Sequence, residues 1–436
     1  MLGAIAMHNP IARRRYWVVF ALAATSLLLA ACGGGAAAGT EPLVVVVDST
    51  RLAGVQQYQK LHPGVRLRIQ VFADRAALPT KVLLDNYAAD AGWPDVVFAE
   101  PNIVARTADS VHDFPLDLRK YVPKKVLDNF FPGSLASCMV DGRLLCLRND
   151  LAQGVLWYNA TLMRKFGYDV PTTWEEYQRL GLRVAKEHPG YVIGAFGDAQ
   201  ALNMYFWPSE CPVAQIVGRD KVRINLAKPE CTRVPRLFDP LIRAKVVTTV
   251  NPLDAVFVQK YGTTNKVLMM PAASWYAEYV FREVYKTPPG QLAAAMPLRW
   301  SSEREIRTGA HGGAAWMVSR HTTNVRAAVD LATWMSTATA YQGSGPTFPA
   351  YMPAADAWAK HLREGRFFAT DPYPVMRRAA ASIDPIFGSV RYDAPSLFES
   401  DVIGPVIRGR PAESGLREFE SHLTQLAQAY GYTVVR

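Results

Sequence analysis

Two short stretches carry side chains that could recognise a polar ligand, Asp48-Ser49-Thr50 and Ala99-Glu100-Pro101-Asn102. An ionised carboxylate accepts several hydrogen bonds, and charge-assisted bonds are the stronger kind. An amide adds an acceptor and two donors. Such a set suits hydroxyl or amine groups. Each stretch could equally be a turn or a helix cap, since Asp before a helix is common. Other chemistries lack their residues. The sequence holds no G-x-S-x-G, no H-E-x-x-H, no Walker A and no G-x-G-x-x-G phosphate loop. His311 stands apart from metal-ligand spacing and reads as a turn or cleft histidine. No metal and no cofactor are expected.

The surrounding elements give these stretches their meaning. Leu43-Val44-Val45-Val46-Val47 is a continuous β-branched run, as expected for a buried parallel strand. The next segment places Leu52, Val55, Tyr58 and Leu61 on one helical face and stops at His62-Pro63-Gly64. Val65, Leu67, Ile69 and Val71 alternate with polar residues in a half-buried strand. A second helix is expected from about Leu78 to Ala89, and Pro94 to Phe98 forms a third strand. Strand–helix–strand–helix–strand argues for an α/β layer with a parallel sheet. Such sheets bind ligands beyond the carboxyl ends of their strands, where both polar stretches lie.

The composition is that of an ordinary globular chain: 436 residues, 50% hydrophobic and 20% charged. This excludes a disordered, collagenous or coiled-coil protein, and the length predicts two or three domains. The formal net charge of +10 is spread through the chain. It is not gathered into a basic stripe, which argues against nucleic acid as a partner. Five cysteines leave one over after pairing.

The N-terminus accounts for the odd cysteine. Arg13, Arg14 and Arg15 precede sixteen uncharged residues, Tyr16 to Ala31. That run is shorter than the roughly 20 residues a spanning helix needs. Leu29-Ala30-Ala31-Cys32-Gly33 follows and resembles a bacterial lipobox. The resemblance implies a lipoprotein signal peptide at 1–31, a lipid on Cys32, and an exported chain anchored to the outer face of the cell membrane. Residues 32–40 are Gly and Ala rich and read as a flexible tether. Cleavage would remove three arginines and no acid, so the +10 falls to +7. Cys138, Cys146, Cys211 and Cys231 then sit in an oxidising compartment and can form two disulfides. Three pairings are possible. Cys138–Cys146 and Cys211–Cys231 are favoured, because Val140-Asp141-Gly142-Arg143 is a hairpin signal. A three-residue loop centred on Gly142 would set Cys138 opposite Cys146.

The middle of the chain is the most telling. Asp141-Gly142-Arg143 leads to Leu156-Trp157-Tyr158-Asn159, then a short helix ending before Gly167, then Pro171-Thr172-Thr173-Trp174-Glu175. Thr173 and Glu176 have capping-box spacing. Lys266 to Met270 with Ser274-Trp275 follows, then the glycine-rich segment Gly309 to Ser319, then Thr347-Phe348-Pro349-Ala350. This order resembles the extracellular solute-binding proteins of ABC importers, specifically the carbohydrate-binding family that includes maltose-binding protein. The resemblance covers roughly residues 41–430. It departs at Leu147, where proline is usual, and at Cys146, where glycine is common.

The resemblance implies a two-lobed α/β fold, each lobe a mostly parallel sheet flanked by helices, with the ligand in the cleft between lobes. The N-terminal lobe would be 41–149 and 298–343, and the C-terminal lobe 150–297 and 344–436. Crossovers are expected near Asp150, near Pro297 to Arg307 and near Gln342 to Pro349. The implied ligand positions are Asp48, Glu100, Asn102, Asp150, Asp198, Gln200, Asn203, Trp275, Gly312 and Gly313. Arg391, Tyr392 and Phe398 join them from the C-terminal segment. Sugars need paired donors and acceptors plus aromatic platforms, and this set offers both. Tyr205, Phe206 and Trp207 could be platform or packing, whereas Trp157 and Trp174 read as core.

The implied partners are a small carbohydrate and the transmembrane subunits of an ABC permease, and the chain is expected to act as a monomer rather than as an enzyme. The acids Asp48, Glu100, Asp150 and Asp198 predict preference for a cationic ligand such as an amino sugar. A lipid-anchored glycoside hydrolase, or a carbohydrate receptor unconnected with transport, is the alternative.

Overall fold

The computed structural model describes residues 41–72, 93–108, 113–383 and 390–436. The lipobox, the tether and the helix expected at about 78–89 lie outside these residues.

The first sheet is built on the valine run. Strand Leu43–Asp48 is buried along its whole length and lies between Leu67–Phe72 and Val96–Ala99, parallel to both. Leu67–Phe72 is an edge strand with intermediate and exposed residues, which explains its alternating polarity. Two late strands complete the sheet. Ala315–Val318 runs antiparallel to Val96–Ala99, with Ala315 opposite Ala99, and Leu147–Arg148 pairs beyond it. Helix Val325–Thr337 then buries Ala328, Val329 and Ala332 in the same core.

A second sheet centres on Gly154–Asn159, flanked by the antiparallel strands Met269–Ala273 and Leu292–Ala295. A bridge between Val192 and Val267 extends it to the parallel pair Gly194–Ala195 and Val247–Thr248. The central strand feeds two cores. Val155 and Trp157 join the core that includes the first sheet, and Leu156 joins the second. The Trp157 indole donates to the Ala273 carbonyl at 3.0 Å, and Trp174 packs among Tyr177, Tyr205 and Phe238. Both tryptophans are core, as their pattern predicts.

Local signals hold closely. Helix Ala160–Phe166 ends at Gly167 in the left-handed conformation. Helix Trp174–Glu187 opens on a complete Thr173–Glu176 capping box. Both favoured disulfides are present, Cys138–Cys146 and Cys211–Cys231. The hairpin loop has two residues, however, not three. Met139 pairs with Leu144 and Val140 with Arg143, and Asp141 and Gly142 both have positive φ. That geometry is the two-residue hairpin turn that Asp-Gly favours. Leu145 therefore bonds back to Cys138, and the disulfide joins cysteines one residue out of register.

Three segments from distant parts of the chain meet between the sheets. Asp150 bridges to Pro349, Gln153 bridges to Ala310, and the Gly154 amide donates to the Gly309 carbonyl. Among the described residues no helix is long and apolar enough to cross a membrane.

Candidate functional site

The cleft begins at the carboxyl end of the first strand. Asp48 does not cap the following helix directly. Its Oδ1 accepts from the Arg51 amide at 2.9 Å, closing a turn, and the helix begins at Leu52. This turn sends the Arg51 side chain back across the sheet. Its guanidinium lies 3.3 Å from Asp48 Oδ2 and 3.5 Å from Asp150 Oδ1, and stacks over the Phe98 ring at 4.8 Å. All three charged groups are nearly buried. A cation between two buried carboxylates offsets the cost of desolvating them.

Asp150 is fixed from its other side. Asn149 Nδ2 donates to Asp150 Oδ1 at 3.0 Å, while Asn149 Oδ1 accepts from Trp316 Nε1 and Gln342 Nε2. Arg148 lies next to this pair. Its Nε and one terminal nitrogen donate to the Asp150 carbonyl, and the other terminal nitrogen donates to Ser137 Oγ at 2.8 Å. Burial pulls this guanidinium down to about 10, opposed by the nearby Asp150 and Glu100 carboxylates. It remains a cation at neutral pH.

The opposite wall comes from the second sheet. Strand Met269–Ala273 runs into Ser274, whose amide and hydroxyl bond to Gln153. Trp275 is thereby held at the mouth of the strand. Its Nε1 donates to the His311 carbonyl at 2.8 Å, and its ring lies near Tyr279 and His311. Asn203 Nδ2 meets His311 Nδ1 at 3.2 Å. Gly312 and Gly313 both have positive φ, and a Cβ on Gly313 would stand 2.3 Å from an Arg148 nitrogen. Glycine at 313 is required by backbone conformation and by the approach of Arg148 alike.

These walls enclose two adjoining cavities that share Glu100, Asn203, Gly312 and Pro395. The larger, about 410 Å³, is lined by Arg51, Asp150, Trp275, Tyr279, His311 and Gly313 among others. The smaller, about 180 Å³, is lined by Asn102, Arg148, Trp207, Tyr392 and a run of apolar residues. Together they fall within the size range of small-molecule sites.

Of the residues predicted from sequence, the structure brings Glu100, Asn102, Asp150, Asn203, Trp275, Gly312, Gly313 and Tyr392 to these cavities. Five are elsewhere. Asp48 lies beneath the cleft floor as the partner of Arg51. Gln200 is buried, its amide within 3.5 Å of the Pro271 carbonyl. Asp198 is half-buried and lines neither cavity, its Oδ1 accepting from the Gln200 amide. Burial raises its carboxyl to about 6, with Glu399 and Asp254 adding to the effect. Phe398 is fully buried among Phe196, Phe206 and Phe419. Arg391 pairs with Asp220 and stacks over Tyr432, outside the cavities. Sequence reasoning missed Arg51, Arg148 and Tyr279 and left Trp207 undecided. An isolated arginine or aromatic carries no pattern that marks it, although Arg51 and Arg148 lie within three residues of predicted positions.

Two α/β sheets with a polar and aromatic cleft between them, crossed by three chain segments, define a two-lobed binding protein. The chain belongs to the bacterial extracellular solute-binding protein family, whose model matches residues 53–361. It is 23% identical over 364 residues to a probable ABC transporter-binding protein of Deinococcus radiodurans, covering 79% of this chain and 80% of that protein. Among solved structures it resembles the ABC transporter-associated binding protein of B. animalis subsp. lactis in complex with β-1,6-galactobiose. The TM-score is 0.75 at 18% identity, over 91% of this chain and 100% of that one. The galacto-N-biose-/lacto-N-biose I-binding protein of Bifidobacterium longum gives the same TM-score and identity, over 91% and 99%. The sugar-binding protein MalE of Xanthomonas citri gives 0.69 at 16% identity, over 90% and 98%.

Proposed function

We propose that this chain is the substrate-binding lipoprotein of an ABC importer, capturing a neutral carbohydrate in the interlobe cleft and delivering it to the permease. The observation that carries this reading is the composition of the larger cavity. An indole pinned by its own N–H to the His311 carbonyl offers a flat apolar face. Buried Arg51 and Asp150 offer donor and acceptor in the same space. Sugars present apolar ring faces and hydroxyl edges, and this pairing matches them. The sugars named with the solved neighbours are in keeping with it.

Two buried cations weaken the case for the amino sugar expected from sequence. Among the described residues, Glu100 and Asp150 line the cavities together with Arg51 and Arg148, and with Asp48 beneath Arg51 three acids meet two cations. Asp48 is held by Arg51, and Asp198 lines neither cavity.

The N-terminal lobe is taken as 41–149 and 298–343 and the C-terminal lobe as 150–297 and 344–436, with two boundaries adjusted. Arg299 still bridges to Thr173, which favours a second crossover closer to Arg307. Met352 still bonds to Asn129, and Phe368 bridges to Leu292, so the third crossover lies between them. The lipid on Cys32 would hold a monomer at the outer face of the cell membrane. Incorporation of labelled palmitate, abolished in Cys32→Ala, tests the anchor.

The test of function is titration calorimetry against a library of neutral and amino sugars, with recovery of the bound sugar. Binding of an unaltered neutral sugar supports the receptor. Cleavage products would move the chain to the hydrolase class, and tighter binding of the free amine would restore the cationic ligand. No binding by any sugar overturns the reading.

A further inference from the structure

The two cavities differ in kind, and the difference speaks to the ligand. The larger has charged and amide groups around an aromatic face. The smaller is lined by Glu100, Asn102, Ser137, Arg148 and Asn203, with Trp207 and Tyr392. Among the described residues, Pro101, Val213, Ala214, Val390, Ala394 and Pro395 form the apolar part of its wall. A hydroxyl set against those six residues would find no side-chain partner, at a cost. The space is also less than half that of its neighbour, about 180 against 410 Å³. A small apolar substituent fits both facts.

Asn102 narrows the choice. Its Oδ1 accepts from the Ile103 amide at 2.9 Å, which leaves the Nδ2 end as the donor. Among the described residues no group accepts from Nδ2. A substituent with a carbonyl next to an alkyl group would use this donor and the apolar wall together. We propose that the ligand is an acylated sugar, its ring in the larger cavity and its acyl group, as an acetamide or acetyl ester, in the chamber beside Asn102 and Val213. This inference rests on the carbohydrate reading and adds a substituent to it. It also keeps the ligand neutral, as a cleft that sets Arg51 and Arg148 among its acids allows.

The test compares matched sugars by titration calorimetry on the full mature chain. In gluco, galacto and manno series, mono- and disaccharides are offered as the N-acetylated sugar, the O-acetylated sugar, the free amine and the hydroxyl parent. The expected result is at least tenfold tighter binding of an acetylated form than of its parent and its amine, the scale a small group confers in a fitted apolar pocket. The preferred linkage, amide or ester, is read from the same set. In Ala214→Phe the ring should fill the chamber. The acetylated form should then bind no more tightly than its parent. Asn102→Ala should reduce the advantage by several-fold. Binding of a parent sugar as tight as its acetylated partner overturns the inference and leaves the carbohydrate reading intact. Failure of every sugar to bind overturns both.

Discussion

Arg51 shows how far a single side chain organises the cleft. It joins the end of the first strand to the segment at Asp150 by lying between Asp48 and Asp150. Arg51→Met would leave two carboxylates buried without their cation. Breaking a buried pair in this way costs about 3–5 kcal/mol, and the urea midpoint should fall accordingly. Asp198 makes the opposite case. Its folded carboxyl is raised from 3.8 to about 6 by burial, so the ionised form is the unfavourable one. The folded state therefore gains stability as pH falls from above 6 toward 4 at this group, and loses it as pH rises. Asp198→Asn keeps an acceptor for the Gln200 amide and removes the charge. Thermal denaturation should show it more stable than wild type at pH 7.5, by up to about 2–3 kcal/mol. The difference should vanish near pH 4.

Elements decide which residues of a loop face the ligand. The stretch from Asp198 to Asn203 was legible as a polar loop after a strand of the second sheet, yet only Ala199, Leu202 and Asn203 reach the cavities. The chain turns at Ala199 into a helical segment, Leu202–Phe206, with i→i+5 bonding, such as Trp207 N–H to the Leu202 carbonyl. In this segment Asn203 lines both cavities, while Gln200, just before it, is buried. A periodicity read at 3.6 residues per turn does not describe such i→i+5 winding. The same wall is stapled behind the chamber by Cys211–Cys231, and Cys211 itself lines the cavity. Replacing both cysteines by serine should cost about 3 kcal/mol in chemical denaturation, from the freed chain entropy of the unfolded state. Arg233 and Trp300 still tie Ser209 to the lobe in that variant, through bonds of 2.6 and 2.8 Å, so a folded protein is expected. At the level of one helix, Thr173→Ala removes the observed cap and should cost about 1 kcal/mol, seen as a lower melting temperature.

For the whole molecule the governing question is motion. Three segments meet between the sheets at Asp150–Pro349 and Gln153–Ala310. If ligand closes the lobes, the radius of gyration from solution scattering should fall on saturation with the bound sugar. An unchanged radius under saturating ligand would mean that capture does not close the cleft.

Much of this protein was written locally. The valine run, the Asp-Gly hairpin, the Thr173 cap and the Gly167 stop depend on neighbours a few residues away, so they were legible in the sequence. It also placed Glu100 and Asn102 at a strand end, where ligands bind in sheets of this kind. What it did not determine was the balance of charge in the cleft or the fate of Asp48, Asp198, Gln200, Arg391 and Phe398. Most of those depend on contacts between distant segments, as when Arg51 meets Asp150 or Arg391 meets Asp220. Only the tertiary structure decides such contacts, because burial and charge pairing are properties of the space between elements. That space set two arginines among the acids of the loops and gave the cleft a smaller second chamber.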